Sequence, residues 1–290
     1  MNKILIIGRE GQLGSTFHEQ ANRNFWAEFS YTTVETLNLM DISAIKSYFS
    51  EKQYDFIINC AAYTAVDNAE TDSETAFMLN TEAPKALAQE AAKINARFIH
   101  ISTDYVFGGR HTRPLKPDDQ KLPDSVYGKS KLHGEAEVMK QQPESMIIRT
   151  SWLYSQHGKN FLKTMLQLGK ERDLLKVVFD QTGSPTLADD LAEAILTIIR
   201  KVTNGQSEFI PGEYHFSNEG VCSWYDFAVA IFHETNTVCR VYPVESDQFP
   251  TSAPRPAYSV MDKSKIKDTY AIEISHWQES LRKCLKNMGL

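Results

Sequence analysis

The chain opens with an apolar run, a glycine-rich turn and a helical pattern, in that order. Lys3–Ile7 is short and continuously apolar, which is typical of a buried parallel strand. It leads directly into the turn GREGQLG, residues 8–14, and helical periodicity resumes after Gly14. A glycine fingerprint between a strand and a helix indicates a dinucleotide-binding turn.

The three glycines of this turn would have separate tasks. Gly8 can make the tight turn, Gly11 lets a diphosphate approach the backbone, and Gly14 lets the helix lie close to the strand. The helix N-terminus then offers unpaired N–H groups and a positive dipole end to phosphate. An ordinary strand–helix turn in a protein without a cofactor is the alternative interpretation.

Strands and helices alternate through the first half of the chain. This alternation predicts an α/β fold, a Rossmann-type doubly wound parallel sheet. The predicted strands after the first are Phe29–Val34, Tyr54–Asn59, Arg97–Ser102 and Met146–Thr150, the last taken as the sixth strand; the predicted helices between them are Ser43–Ser50 and Thr81–Ala96.

The pattern becomes mixed after residue 150, and 290 residues suffice for one large domain with a smaller lobe. We expect residues 1–150 to form the NAD(P)-binding domain. Residues 151–290 would form mainly a substrate lobe, with some segments returning to the first domain. Its predicted elements are Phe161–Lys170, Leu174–Phe179, Thr186–Arg200, Ser223–His233 and Ser275–Lys286. In the last of these, the stripe of Trp277, Leu281 and Leu285 indicates core packing.

Tyr127 and Lys131 are four positions apart in DSVYGKSKLHGE, residues 124–135. On a helix this spacing places both side chains on one face. A neighbouring ammonium lowers the pKa of a phenol, and such a tyrosine can pass a proton to a carbonyl oxygen. An exposed amphipathic helix that happens to carry both residues is the alternative.

Polar residues follow the strand Arg97–Ser102. Thr103 and Asp104 lie just beyond its carboxyl end, where open α/β sheets bind ligands, although they could simply cap a turn. Trp152 follows the next strand and could stack on a sugar or base, or pack in the core. Arg255, between two prolines, could hold a diphosphate stiffly or be an ordinary surface arginine.

Composition excludes several classes of function. The formal net charge is −6 with no long basic run, so nucleic-acid binding is disfavoured as the main role. No stretch approaches the ~20 apolar residues of a membrane span, and MNKILIIG is too short for a signal peptide. The four cysteines are far apart without a CxxC pair, which indicates reduced thiols, a cytoplasmic protein and no zinc site.

The motifs together resemble the dTDP-4-dehydrorhamnose reductase family of the extended short-chain dehydrogenase/reductase superfamily, to which the GxxGxxG spacing also points. The resemblance covers nearly the whole chain. Its pieces are GREGQLG (8–14), NCAAYTAVDNAE (59–70), HISTDYVFGG (100–109), VYGKSKLHGE (126–135), RTSWLYSQHGKNF (149–161), DQTGSPTLADDLA (180–192), CSWYDFA (222–228) and APRPAYSV (253–260).

The resemblance implies a role for each matching position. Tyr127 would donate the proton, Lys131 would hold the nicotinamide ribose and lower the tyrosine pKa, and Thr103 would hydrogen-bond the reacting oxygen. Further cofactor contacts are implied for Gly11, Gln12, Leu13, Asp41, Ile42, Ala62, Tyr63 and Thr64. Substrate contacts are implied for Asp104, Trp152 and Arg255.

The implied reaction is reduction of the C4 ketone of dTDP-4-dehydro-L-rhamnose by NADPH or NADH. Glu35, Asp41 and Arg9 give conflicting signals for the choice between the two cofactors. Family members include magnesium-assisted dimers and metal-free monomers, so a homodimer is open, while no metal-ligand cluster is visible in the sequence. Two other hypotheses are a non-catalytic regulatory subunit of methionine adenosyltransferase, and a reductase, epimerase or dehydratase of another nucleotide sugar.

Overall fold

A computed structural model describes residues 1–21, 26–108 and 111–290. Gly109, the last residue of the HISTDYVFGG motif, therefore lies outside the described residues. The first half contains β1 (Asn2–Ile7), α1 (Gln12–Ala21), β2 (Ala27–Thr32), α2 (Ile42–Phe49), β3 (Phe56–Asn59), α3 (Val66–Ala69), α4 (Ser73–Phe77), α5 (Ala83–Lys93), β4 (Arg97–Thr103), α6 (Val126–Gln141) and β5 (Met146–Thr150).

The second half is built from shorter strands and longer helices. Its elements are β6 (Leu153–Tyr154), α7 (Phe161–Glu171), β7 (Leu174–Val178), β8 (Thr182–Gly183), β9 (Thr186–Leu187), α8 (Ala188–Thr203), β10 (Gly212–His215), β11 (Cys222–Ser223), α9 (Trp224–Glu234), β12 (Arg240–Val244), α10 (Ser264–Tyr270) and α11 (Trp277–Asn287).

Six strands form one parallel sheet in the order β10-β5-β4-β3-β1-β2. Helices cover both faces, so central strands such as Ile4–Ile7 are almost fully buried, and their continuous apolar runs reflect this. The predicted Rossmann-type fold is confirmed. The numbering of Met146–Thr150 as the sixth strand is wrong, because it is the fifth along the chain and β10 supplies the sixth.

Some predicted boundaries shift for local reasons. The second strand ends at Thr32, not Val34, because the Thr33 amide donates to Thr36 Oγ1 (2.8 Å) and so begins a turn. The predicted helix Thr81–Ala96 is longer than expected. It runs from α4 through a π-helical turn, Met78–Glu82, into α5.

The second half contributes to two cores. In α8, Leu191, Ile195 and Ile199 are fully buried and pack in one cluster with Ile4 and Phe17 of the sheet domain. A separate cluster joins α7, α9 and α11 and contains Trp277, Leu281 and Leu285, which confirms the predicted core stripe. The division of the chain at residue 150 stays a prediction. Among the helices of the described ranges, none has the length and apolar character needed to cross a membrane.

Candidate active site

Two of the three glycines in the turn, Gly8 and Gly14, are packed too tightly to carry a side chain. Gly8 has a φ of +86°, and a Cβ there would lie 2.9 Å from Ala61 atoms. A Cβ on Gly14 would lie 2.1 Å from the Gly8 carbonyl oxygen, whereas one on Gly11 would meet nothing closer than 3.5 Å. Because α1 begins at Gln12, the first-turn N–H groups face this turn without helical partners. Such a turn can hold a phosphate group, and residues 8–14 are called the cradle below.

A cavity of about 860 Å³ opens from this cradle along the carboxyl ends of the parallel strands. This is the edge at which open α/β sheets bind ligands. It brings together most of the residues that the sequence predicts for the site: Gly8, Gly11, Gln12, Leu13, Ala62, Thr64, Thr103, Asp104, Tyr127, Lys131, Trp152 and Arg255.

Four predicted cofactor residues do not line the cavity: Gly14, Asp41, Ile42 and Tyr63. Gly14 does not face the cavity, and its lack of a side chain lets α1 pack closely against the turn. Asp41 caps α2, where its Oδ1 accepts from the Ser43 hydroxyl (2.6 Å) and from the amides of Ala44 (3.2 Å) and Ser43 (2.8 Å), and these hydrogen bonds lower its pKa. The Tyr63 hydroxyl donates to Asp72 (3.3 Å) instead of facing the cavity.

Other residues also line the cavity, although the sequence analysis assigns them no individual role in the site. They are Ile7, Glu10, Thr32, Thr33, Val34, Leu37, Asn38, Leu39, Met40, Cys60, Ala61, Val66, Leu79, Ile101, Ser102, Tyr105, Thr150, Ser151, Leu153, Gly158, Lys159, Asn160, Phe161 and Trp224. Thr33 and Val34 directly follow β2, but the strand predicted from the sequence runs to Val34 and so hides this position. Neither Arg9 nor Glu35 lines the cavity: the Arg9 guanidinium contacts the His18 ring at 3.4 Å, and Glu35 is exposed.

Helix α6 carries Tyr127 and Lys131 on its buried face. It begins at Val126 and is capped by Ser125, whose Oγ accepts from the Gly128 amide (3.1 Å). Gly134 allows close packing, because a Cβ there would lie 1.9 Å from the Asn80 carbonyl oxygen. The Tyr127 ring is 9% exposed and packs edge-on against Tyr105, with ring centroids 5.4 Å apart.

The pKa of Tyr127 is raised, chiefly by burial. Hydrogen bonding by the Thr103 hydroxyl opposes this rise, while Asp104 and Tyr105 add to it. The sequence predicts that Lys131 lowers this pKa, but its ammonium instead donates to the Ile101 carbonyl oxygen (2.7 Å). Burial also lowers the pKa of Lys131 to about 8, against the opposing charge of Glu135. The phenol therefore keeps its proton in this protein at neutral pH.

Asp104 lies beside these groups and is 3% exposed. Its Oδ1 accepts from the Thr103 hydroxyl (3.0 Å). Burial raises the pKa of Asp104 to about 7, although the contact with Thr103 opposes the rise. The cavity lining thus contains a polar cluster that is almost fully buried, formed by Thr103, Asp104 and Tyr127.

A second cavity, of about 390 Å³, adjoins the first and shares Asp104, Tyr105, Trp152, Phe161, Trp224 and Arg255 with it. The Trp152 ring stacks on Trp224, with centroids 3.6 Å apart and planes 9° apart. A Cβ on Gly183 would lie 2.7 Å from the same ring. Trp152 therefore packs against the core and also borders both cavities, while its stacking on a sugar or base stays a prediction.

Arg255 does not project freely into the cavities. It donates to Asp67 Oδ2 (2.5 Å) and to the Tyr105 hydroxyl (3.0 Å). Among the described residues, no group of three or more His, Cys, Asp or Glu side chains could hold a metal ion.

The family model described as the RmlD substrate binding domain matches residues 1–290. The chain belongs to the dTDP-4-dehydrorhamnose reductase (RmlD) family. The family resemblance predicted from the motifs is thereby confirmed.

Three similar proteins illustrate the RmlD relationship. The spore coat polysaccharide biosynthesis protein SpsK of Bacillus subtilis (strain 168) is 39% identical over 99% of this chain and 98% of its own. A dTDP-4-dehydrorhamnose reductase structure from Clostridium acetobutylicum has a TM-score of 0.93 and 40% identity, covering 99% of this chain and 100% of that one. The Bacillus anthracis (strain Ames) reductase, solved in complex with NADP, has a TM-score of 0.93 and 35% identity at the same coverage.

Proposed function

We propose that the chain reduces the C4 ketone of dTDP-4-dehydro-L-rhamnose to dTDP-L-rhamnose with NADPH or NADH. The observation that carries this proposal is the position of Thr103, Tyr127 and Lys131 in one cavity with the glycine cradle. The chain is a member of a family whose relatives include named dTDP-4-dehydrorhamnose reductases. A cavity that reaches from the cradle to a buried phenol suits a dinucleotide with its reactive end beside that phenol.

The cradle fits the diphosphate of such a cofactor. Gly11 leaves room for it, and the amides of Gln12 and Leu13 are available to donate hydrogen bonds to it. Ala62, Thr64 and Lys131 would contact the nicotinamide half, and Lys131 would hold its ribose. When bound, the cofactor supplies the hydride for C4 of the sugar.

Tyr127 would supply the proton. Burial keeps its phenol protonated, so the group is ready to donate when negative charge develops on the C4 oxygen. The single Thr103 hydroxyl proton is donated to Asp104 Oδ1 in the structure, so Thr103 would turn this proton to the C4 oxygen and stabilise that charge. Asp104, Trp152 and Arg255 would line the sugar and diphosphate part of the substrate site, in which the second cavity gives room for the nucleotide.

We also propose a cytoplasmic protein, because its four cysteines are free and the cytoplasm keeps thiols reduced. A homodimer, which the family resemblance allows, stays a proposal.

The decisive experiment follows nicotinamide absorbance when dTDP-4-dehydro-L-rhamnose is added, with NADPH and NADH in parallel. Oxidation that depends on the sugar supports the proposal, and the ratio of rates gives the cofactor preference. If both cofactors bind but the sugar causes no oxidation, the proposal fails. A regulatory subunit of methionine adenosyltransferase or a reductase of another nucleotide sugar would then take its place, distinguished by co-elution with that enzyme and by assays with other keto sugars.

A further inference from the structure

Residues 155–160, here named the strap, connect β6 to α7 and contact the first turn of α1. The Gln12 side chain joins the two. Its Oε1 accepts from Ser155 Oγ (3.1 Å) and from Asn160 Nδ2 (2.9 Å), while its Nε2 donates to the Leu153 carbonyl oxygen (3.3 Å). The glycine turn and the strap are therefore held at a defined separation by one side chain.

The strap is also fixed at other points. Gln156 donates to Glu19 on α1 (2.5 Å), and His157 Nε2 lies 3.2 Å from the other oxygen of that carboxylate. Asn160 Nδ2 donates to the Ser155 carbonyl oxygen (2.7 Å), which closes the strap on itself. These contacts fix the position of the strap, which forms part of the cavity wall.

Gly158 brings the strap close to the glycine turn. Its φ of +61° favours glycine, and a Cβ there would lie 3.1 Å from Gln12 Cγ. Because of this close approach, one cavity is lined both by the strap residues Gly158, Lys159 and Asn160 and by Gly11 and Gln12 of the turn.

Lys159 differs from the other cations that line this cavity within the described part of the chain. The Lys131 ammonium is buried against the Ile101 carbonyl, and Arg255 is paired with Asp67. Lys159 is exposed and makes no ion pair in the described residues. Its charge is thus available to a ligand in the cavity.

We propose that Lys159 binds the diphosphate of the dinucleotide cofactor from the side opposite the glycine turn. The inference rests on the proposed function, since it requires a dinucleotide in this cavity. The backbone amides of the cradle carry only partial charges, and an ammonium would neutralise a formal charge of the diphosphate. Gln12 is a positioning residue in this arrangement, because it holds the strap that presents Lys159.

The test measures dissociation constants by fluorescence titration, without sugar, for the wild type, Lys159→Ala and the control Lys170→Ala. Lys170 is an exposed lysine on α7, outside the cavity. We expect Lys159→Ala to weaken NADPH, NADH and ADP-ribose alike by about 5- to 20-fold, with a smaller dependence on salt. Adenosine, which lacks the diphosphate, should bind as it does to the wild type, and Lys170→Ala should change nothing.

A double-mutant cycle with Gln12→Ala tests the role of the strap. If Gln12 positions Lys159, the loss caused by Lys159→Ala should shrink in the Gln12→Ala background. Unchanged affinities in Lys159→Ala would overturn the inference, and so would a loss confined to NADPH, which would mark a contact to the 2′-phosphate. A wild type that binds neither cofactor would overturn the proposed function as well.

Discussion

Asp67 holds Arg255 by an ion pair, with 2.5 Å between the Arg255 terminal nitrogen and Asp67 Oδ2. The other oxygen of the same carboxylate accepts from the Ala253 amide (3.1 Å). One side chain on α3 therefore fixes both the guanidinium and the backbone of the proline-rich loop. Since Arg255 lines both cavities, the shape of the proposed substrate site depends on Asp67, a residue outside the lining of either.

Asp67→Ala should weaken substrate binding more than it slows turnover. Loss of the pair frees the loop, and we expect KM for the nucleotide sugar to rise about 5- to 30-fold, with a smaller change in kcat. Steady-state kinetics with Glu74→Gln as an exposed control on α4 provide the measurement. In a cycle with Arg255→Ala the two effects should be strongly non-additive, and simple additivity would refute the dependence.

Asp104 should make stability depend on pH. Its pKa is raised from 3.8 to about 7, so the folded protein binds this proton more tightly than the unfolded chain does. The free energy of unfolding should therefore fall as pH rises from about 4 to about 7, by on the order of 2–4 kcal/mol from this group.

Asp104→Asn removes that titration. Urea unfolding at about pH 5 and about pH 8 should show a smaller loss of stability in the variant than in the wild type, with the exposed Asp118→Asn behaving as the wild type. Equal losses in all three proteins would show that Asp104 titrates in its ordinary range.

Glu135 should stabilise the fold that carries the site. It makes a bidentate pair with Arg149 (2.8 and 2.6 Å), and both side chains are almost fully buried. Glu135→Ala leaves Glu213 as the remaining carboxylate that pairs with Arg149. We therefore expect the free energy of unfolding, measured with urea, to fall by about 3 kcal/mol. Glu137→Ala on the same helix breaks only surface pairs and should cost less than about 1 kcal/mol. A similar cost for both variants would contradict this assignment.

Local patterns predict the parts of the site that lie in one segment. The glycine turn and the Tyr127–Lys131 face depend on spacing, so sequence reasoning places them correctly in one cavity. Asp41 shows the limit of this approach, because a carboxylate before a helix can cap it or bind a ligand, and only the backbone geometry decides.

Contacts between distant segments escape such reasoning. Lys159 lines the same cavity as the glycine turn, although the two lie far apart in the chain. Gln12 contacts residues about 140 positions away, and nothing in either segment shows this pairing. Arg255 is recognisable as a stiff cation, but its partner Asp67 is 188 residues earlier in the chain. The effect of Lys131 on Tyr127 also requires three dimensions, since it depends on where the ammonium points.

The role of Tyr127 is the central claim, and Tyr127→Phe tests it most directly. The variant keeps the ring that packs against Tyr105 and lacks the proton. NADPH titration should give the wild-type affinity, while sugar-dependent oxidation of NADPH should slow by about 10²- to 10⁴-fold. Near-normal turnover in a variant that binds NADPH normally would contradict the assignment of Tyr127 as the proton donor.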